Sequence, residues 1–418
     1  MHRRSERNAI LELRLLSFST GQPHPLAEQP IIFIDKKFLS LGRRSSEIKI
    51  IGDFLILLIT FLEGSRNQDI FFLVRWKTGL THCVSVSELL QIRPLIIYVQ
   101  LTSPENRTYK HFSHLSQDIL VIPNLIQNTL EVVQVVIDND SAPGFVPLCV
   151  FHLPPLTQNT SLYYFYCRAE PKPTGSGPVA IPPRSDRPFR DKAEDAIVIF
   201  NMSYNYFYGT RRDWIILIVH RRALLAHIPA AHRARVPFCS LPEPTPAVVE
   251  VPWSMWGPSA TRLFMGNPMS IHGIETAAGQ RAVMLEDRMP TPIIVRDFNP
   301  YAVRAARALA SASGQLKEGN WSKQLPNGNR MTLNVEDSVL AAGSIFKEDV
   351  RSSLPYVEVV TRDEYHYNGV MIDDQRILGF KVYSDLYVID QCTEFFSFLQ
   401  SDQDSEVWGS SVDVHVLG

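Results

Sequence analysis

The sequence predicts an all-β fold, and three observations support this prediction. Apolar runs of about four to ten residues, rich in Val, Ile, Phe and Tyr, recur along most of the chain. Turn residues separate these runs at short intervals, which is typical of antiparallel sheets. Pro and Gly are abundant, at 29 and 21 of the 418 residues. A mainly helical protein carries fewer of both residues, because each one disfavours helix interiors.

The longest apolar run, Phe54–Leu62, is about half of the ~20 residues that cross a bilayer, so we interpret it as a buried strand. The runs that we interpret as strands are Leu11–Phe18, Ile31–Ile34, Ile48–Ile51, Phe54–Leu62, Ile70–Trp76, Leu95–Leu101, Ile119–Ile122, Leu130–Ile137, Phe145–Leu153, Leu162–Cys167, Ala196–Phe200, Trp214–His220, Ile293–Val295, Met331–Val335, Tyr356–Val360, Gly369–Ile372, Ile377–Val382 and Leu386–Ile389.

Short turns join several of these strands into hairpins. Gly52 and Asp53 separate two runs, and the stretch from Asp373 to Arg376 separates two others. We interpret the repeated hairpins as the meanders of a β-propeller-like fold with roughly six to seven blades. The predicted organisation is a polar N-terminal tail at 1–10, one domain at 11–400 and a C-terminal tail at 401–418. Pro-rich stretches at 168–195 and 229–258 are predicted to be connections within that domain.

One inserted helix is predicted near residues 299–311. Asn299 is a favourable N-cap residue, and Pro300 is suited to the first helical position. The Ala-rich run that follows favours a helix.

Charge and cysteine content narrow the function classes. Lys and Arg number 41 and Asp and Glu 43, giving a net charge of −2, so the balance does not favour a nucleic acid partner. The five cysteines form no CxxC pair, which indicates reduced thiols. The first residues are polar, without the apolar core of a signal peptide. We therefore expect an intracellular protein, cytoplasmic or nuclear, with no membrane partner.

No catalytic, cofactor-binding or metal-binding constellation is found. The sequence contains no HExxH, no GxSxG and no Gly-rich phosphate loop between a strand and a helix. His111 and His114 lie three residues apart, but no Cys or carboxylate lies near them in sequence. We therefore predict no catalytic residues, no cofactor and no metal.

Arginines and tryptophans form the candidate interaction surface, because both residue types are favoured at binding hot spots. Solvated turns and core packing are the alternative roles for them. The candidate residues are Arg211, Arg212, Arg221, Arg222, Trp253, Trp256, Arg304 and Arg307.

Several segments resemble the C-terminal region of basidiomycete F-box proteins. They begin at Trp256 (WGPSATRLF), Pro292 (PIIVRDFNP), Glu348 (EDVRSSLPY) and Val219 (VHRRALL), and the resemblance extends from about residue 11 to 389. It implies an intracellular substrate-recognition module. The F-box, which docks to the adaptor of a ubiquitin ligase, is not found in Met1–Arg44. Binding to that adaptor is therefore expected only if an F-box lies upstream, in which case the chain is a truncated form.

The function that we expect is a non-enzymatic protein-interaction module with protein partners of unknown identity. Two alternatives stay open at this point. One is a propeller hydrolase that acts on a sugar or small molecule, which would require convergent carboxylates or a metal in the central channel. The other is a non-functional fragment, which would leave a strand edge unpaired near the N-terminus.

Overall fold

Strands dominate the part of the chain that the computed structural model describes. The described residues are 11–17, 19–34, 44–52, 54–61, 70–85, 111–136, 144–170, 193–206, 212–229, 248–266, 276–286, 288–314, 320–367, 369–373, 376–382 and 410–416. The prediction of an all-β fold is confirmed. Two of the predicted strands, Leu95–Leu101 and Leu386–Ile389, and the predicted tail at 1–10 lie outside the described residues.

Up to Gly266, the described residues form four sheets. Sheet A pairs β1 (Leu11–Arg14) with β2 (Ile31–Ile34), and sheet B contains β3 (Arg44–Ile51), β4 (Phe54–Phe61), β5 (Ile70–Arg75) and β6 (Leu80–Ser85). Sheet C contains β7 (Ser113–His114), β8 (Ile119–Asn124), β9 (Thr129–Val136), β10 (Gly144–His152) and the distant β14 (Val249–Val251). Sheet D contains β11 (Thr160–Arg168), β12 (Ile197–Tyr206), β13 (Arg212–His220) and β15 (Thr261–Gly266).

Three further sheets follow. Sheet E contains β16 (Ala277–Ala278), β17 (Arg281–Leu285), β18 (Thr291–Asp297), β19 (Trp321–Gln324), β20 (Arg330–Asn334) and β23 (Tyr356–Tyr365). Sheet F pairs β21 (Ser338–Leu340) with β22 (Val350–Ser352), and sheet G contains β24 (Gly369–Ile372), β25 (Arg376–Val382) and β26 (Ser410–Val416). The pairing of β14 with β10 is parallel, whereas neighbouring strands in chain order pair antiparallel.

Hairpin turns form where turn residues occur in the sequence. Gly52 joins β3 to β4 with a φ of 55°, a conformation that other residues rarely adopt. The side chain of Asp373 accepts a hydrogen bond from the backbone of Arg376 and closes the turn between β24 and β25. The sequence therefore predicts both hairpins correctly.

Alternating side chains bury both faces of the central sheets. In β4, Leu55 and Leu57 join an apolar cluster with sheet A, whereas Ile56 and Leu58 join a cluster with sheet C. A strand that is buried on both faces has a continuous apolar run rather than an alternating one. This explains the long apolar run at Phe54–Leu62, in which only Thr60 is polar.

Burial of both sheet faces also packs successive sheets against one another in chain order. Sheets A and B, B and C, C and D, D and E, and E and G each share an apolar cluster. In β12, Val198 and Phe200 face sheet C, whereas Ile197 and Ile199 face sheet E. The described residues thus form a series of sheets packed face to face. No closed ring is detected among them, so the propeller and its blade number stay predictions.

Among the described residues, three α-helices lie between the strands: α1 (Arg221–Leu225), α2 (Trp253–Ala260) and α3 (Pro300–Ala312). The predicted helix is α3, and the side chain of Asn299 caps it by accepting a hydrogen bond from Tyr301 N at 2.9 Å. Its buried residues pack on sheet E, and they are Val303, Ala306 and Ala310.

Two predicted boundaries are wrong. The predicted connection at 229–258 contains β14 and most of α2, because Val249–Val251 adds to an edge of sheet C and Trp256 then enters the core. The predicted tail at 401–418 contains β26, which pairs with β25 from Val416 opposite Arg376 to Ser410 opposite Val382. Of the other predicted connection, residues 171–192 lie outside the described residues.

Replacement of Leu217 tests the face-to-face packing. Leu217 on β13 is fully buried in the cluster between sheets C and D. We expect Leu217→Ala to lower the free energy of unfolding by about 3 kcal/mol, since it removes buried apolar surface and leaves a cavity. Urea unfolding followed by tryptophan fluorescence measures this loss. The control is Leu309→Ala on α3, where the leucine is 49% exposed. Equal losses in the two variants would contradict the packing.

Candidate functional site

Two of the predicted surface residues are buried. Arg221 is fully buried, and its guanidinium donates hydrogen bonds to the backbone oxygens of Ala193 at 2.7 Å and Ala169 at 2.8 Å. Burial lowers the pKa of Arg221 to about 10, so it stays charged at neutral pH. Trp256 is 2% exposed, and its indole donates to His152 O at 3.1 Å. A surface role for these two residues is wrong, because both hold together neighbouring elements of the core.

The predicted arginines around β13 do not form one patch. Arg212 begins β13, whereas Arg221 and Arg222 follow its end. A nine-residue strand is roughly 30 Å long, so Arg212 lies at the opposite end of it from Arg221 and Arg222. Arg222 is half-exposed and pairs with Asp195 at 3.3 Å. Arg211 lies outside the described residues.

The remaining predicted residues lie on α2 and α3. Trp253 packs edge-on against Trp256, with the ring centroids 5.1 Å apart, and is partly buried. Arg304 and Arg307 are exposed on α3, and the guanidinium of Arg304 lies 4.4 Å from the centroid of the Tyr301 ring. Of the predicted interaction residues, Arg304 and Arg307 therefore form an exposed group on one helix, α3.

A group of polar side chains that the sequence analysis missed lies where sheets B, C and D meet. We call it the polar cluster, and its members are Glu47, Lys49, His111, Tyr164, Tyr166 and Arg168. These residues lie on β3, just before β7, and on β11. Each of those strands is the first strand of its sheet in chain order and lies at an edge of that sheet. The strand order thus brings together residues that are more than 100 positions apart.

Glu47 is the centre of the hydrogen bonds in the polar cluster. Its carboxylate lies 2.8 Å from Lys49 Nζ and 3.3 Å from His111 Nδ1. It also accepts a hydrogen bond of 3.2 Å from the backbone N–H of Phe112. Lys49 in turn donates to the backbone oxygen of Phe112. These contacts hold sheet B against the start of sheet C.

The charge of Glu47 is stabilised by its partners. Burial alone would raise the pKa of this carboxyl group, but the charges and hydrogen bonds of Lys49 and His111 lower it to about 2. The pKa of Lys49 is raised in spite of burial, chiefly because of Glu47. Both residues are therefore ionised at neutral pH.

Aromatic rings line the side of the polar cluster that β11 provides. Tyr164 and Tyr166 are stacked, with a centroid distance of 6.4 Å and an interplanar angle of 2°. His111 meets Tyr166 edge-on at 4.1 Å, and the Arg168 guanidinium lies 4.4 Å from the centroid of the Tyr166 ring. Burial raises the pKa of Tyr166, which keeps its hydroxyl group neutral at pH 7.

The adjacent thiol has no nucleophilic character. Cys167 is fully buried, and burial raises the pKa of its thiol well above the ordinary value. A reactive cysteine requires a lowered pKa and access to solvent. The polar cluster thus combines one carboxylate with at least two cationic side chains and has no reactive thiol beside it.

Local sequence offers one weak signal for the polar cluster. Glu47 and Lys49 are two residues apart on a strand, which places them on one face, and Lys49 interrupts the apolar run Ile48–Ile51. The partners His111 and Arg168 come from other sheets, and no local pattern identifies them.

Among the described residues, no group of three or more His, Cys, Asp or Glu side chains could hold a metal ion. No helix in the described ranges is long and apolar enough to cross a membrane.

Comparison with known proteins shows no family for this chain. No protein-family model matches it, and no curated protein matches it. One solved structure to which it is similar is titled "Crystal structure of the tricorn protease", at 10% identity and a TM-score of 0.18. The match covers 89% of this chain and 38% of that protein, so the chain spans well under half of its length. A TM-score this low carries no argument about fold or function.

Replacement of Glu47 tests the electrostatics of the polar cluster. Glu47→Gln leaves Lys49 buried without its charged partner, so we expect a loss of about 3 kcal/mol of stability at pH 7. Because the pKa of Glu47 is lowered from 4.5 to about 2 on folding, its stabilisation is present above pH 4.5 and lost as the pH falls towards 2. The difference between wild type and variant should therefore shrink over that range.

Urea unfolding at several pH values measures this difference. The control is Glu12→Gln, because Glu12 pairs with the exposed Arg14 at the surface and should contribute little at any pH. A difference between wild type and Glu47→Gln that stays constant from pH 7 to pH 3 would contradict the account.

Proposed function

We propose that this chain is a non-enzymatic protein-interaction module that contacts its partner with the outward face of α3. The observation that carries the proposal is an exposed stripe of Tyr301, Arg304 and Leu309 on a helix whose opposite face is fixed to sheet E. Tyr301 is 73% exposed and Leu309 is 49% exposed. Tyr and Arg are enriched among the residues that contribute most to binding energy.

The spacing of these residues supports one continuous contact surface. Positions 301, 304, 305, 308 and 309 share a helix face, because residues three and four apart are neighbours on a helix. Val303, Ala306 and Ala310 occupy the other face and are buried. A helix held rigidly in this way loses little conformational entropy when a partner binds.

Charge indicates the chemistry of the partner. From Pro300 to Ala312 the helix carries Arg304 and Arg307 and no acidic residue. Arg304 lies on the contact face, and the exposed Arg307 borders it three residues along the helix, so the surface is positive beside apolar side chains. We therefore propose a partner segment that combines Asp or Glu with aromatic or aliphatic residues.

The residues of the polar cluster support the hypothesis of a binding module over the hypothesis of a hydrolase. A hydrolase that acts on sugars requires two carboxyl groups about 5–10 Å apart across a cleft. Among the described members of the polar cluster, Glu47 supplies one carboxylate, and Lys49 and His111 already hold it. The hydrolase hypothesis thus has less support than the binding hypothesis.

The wider role that we propose follows from the sequence resemblance. If the chain acts as the C-terminal region of basidiomycete F-box proteins does, its partner is a substrate protein for ubiquitin ligation, recognised in the cytoplasm or nucleus. Contact with the ligase adaptor would then require an F-box upstream. The propeller arrangement is part of this proposal, and the face-to-face series of sheets supports it.

Selection from a random peptide library displayed on phage tests the proposed surface. We expect the full chain to enrich peptides that contain Asp or Glu beside Tyr, Trp or Leu. Synthetic versions of these peptides should bind the double variant Arg304→Glu/Arg307→Glu about tenfold or more weakly in fluorescence anisotropy, because two charge attractions become repulsions. Tyr301→Ala should also weaken binding, because it removes the exposed aromatic ring.

The matched control reverses two charges on another surface. Lys347 and Arg351 are exposed near and on β22, away from α3, and Lys347→Glu/Arg351→Glu should leave the affinity unchanged. Enriched peptides without acidic residues, or equal affinities for the two double variants, would overturn the proposal.

A further inference from the structure

Arg168 is buried, and two of its donor atoms lack acceptors among the described residues. The residue is 7% exposed, and its Nε and Nη2 atoms have no hydrogen-bond partner among the described residues. A buried donor without an acceptor costs about 1–3 kcal/mol, and more when it is charged. The position at the end of β11 is thus energetically unfavourable unless something else accepts these hydrogen bonds.

The two open donors form one geometric unit. Nε–H and the adjacent N–H of Nη2 point to the same side of the planar guanidinium group. This edge matches the two oxygens of a carboxylate or a phosphate in a bidentate pair. The ring of Tyr166 supports the guanidinium face at 4.4 Å and fixes its plane.

Among the described members of the polar cluster, positive charges outnumber negative ones. Lys49 and Arg168 contribute two positive charges, and Glu47 contributes one negative charge that is already shared between Lys49 and His111. The nearest acidic residue in sequence, Glu170, interacts with the buried Arg221. A buried net positive charge is costly, and an anion is the partner that removes this cost.

We propose that the polar cluster is a binding site for a small oxyanion, a carboxylate or phosphate group, held by the Nε and Nη2 edge of Arg168. Lys49 contributes a second positive charge to the polar cluster. This site is separate from the α3 surface. Carboxylate and phosphate groups share the feature that this edge recognises, which is a pair of oxygen atoms that carry negative charge.

Thermal unfolding of the full chain in inorganic phosphate, acetate or chloride at equal ionic strength tests the site. A bound ligand raises the unfolding temperature with a saturable dependence on concentration, whereas general salting-out by phosphate rises without saturation. We expect saturable stabilisation by phosphate, by acetate or by both, and none by chloride. Saturation with phosphate alone identifies a phosphate-bearing ligand, and saturation with acetate alone identifies a carboxylate.

Two variants connect the effect to Arg168. Arg168→Lys keeps the charge but loses the bidentate edge, so the apparent affinity should fall about tenfold or more. The control Arg222→Gln removes a half-exposed arginine that pairs with Asp195, and it should keep the wild-type affinity. The same affinity in Arg168→Lys and wild type would overturn the proposal.

A second measurement covers the case in which Arg168→Lys does not fold. In ¹⁵N spectra of the wild type, the Nε–H resonance of one buried, slowly exchanging arginine should shift saturably with the stabilising anion. If the unfolding temperature shows no saturable rise and no arginine resonance shifts, no anion binds and the proposal is wrong.

Discussion

The structure depends on apolar packing across both faces of successive sheets. Isolated sheets of two to four strands are marginally stable in water, because one or both apolar faces stay exposed. Each central sheet here presents alternate side chains to the sheet before it and to the sheet after it, as Ile56 and Leu57 of β4 do. Stability therefore comes from the interfaces, and a sheet without its neighbours would lose most of its buried surface.

This packing also determines where polar side chains meet. When sheets B, C and D pack face to face, their first strands β3, β7 and β11 lie at sheet edges, and the side chains along those edges approach one another. Glu47, His111 and Arg168 gather there although they are remote in sequence. Desolvation makes such charges costly, and that cost explains the close pairing of Glu47 with Lys49. It also makes the open donors of Arg168 the most informative polar feature among the described residues.

Local signals predict the strands and one helix well, because they depend on neighbouring residues. The long apolar run at Phe54–Leu62 contains a doubly buried strand, and Asn299 and Pro300 begin a helix as predicted. Helix α2 was missed because it contains Pro258 and has no side-chain cap, so packing of Trp256 rather than helix propensity stabilises it. Arg221 was assigned to the surface because arginine is seldom buried, yet backbone oxygens accept hydrogen bonds from both of its Nη atoms. The polar cluster escaped prediction because three sheets must assemble before its members meet.

A double-mutant cycle between Phe71 and Phe145 tests the face-to-face packing of successive sheets most directly. Phe71 lies on β5 of sheet B and Phe145 on β10 of sheet C, with ring centroids 5.5 Å apart and planes at 67°. The single variants Phe71→Leu and Phe145→Leu and the double variant give a coupling energy by urea unfolding. The packing predicts a coupling of about 0.5–1.5 kcal/mol, as for an edge-to-face aromatic pair. Additive effects, with no coupling beyond error, would contradict the contact between the two sheets.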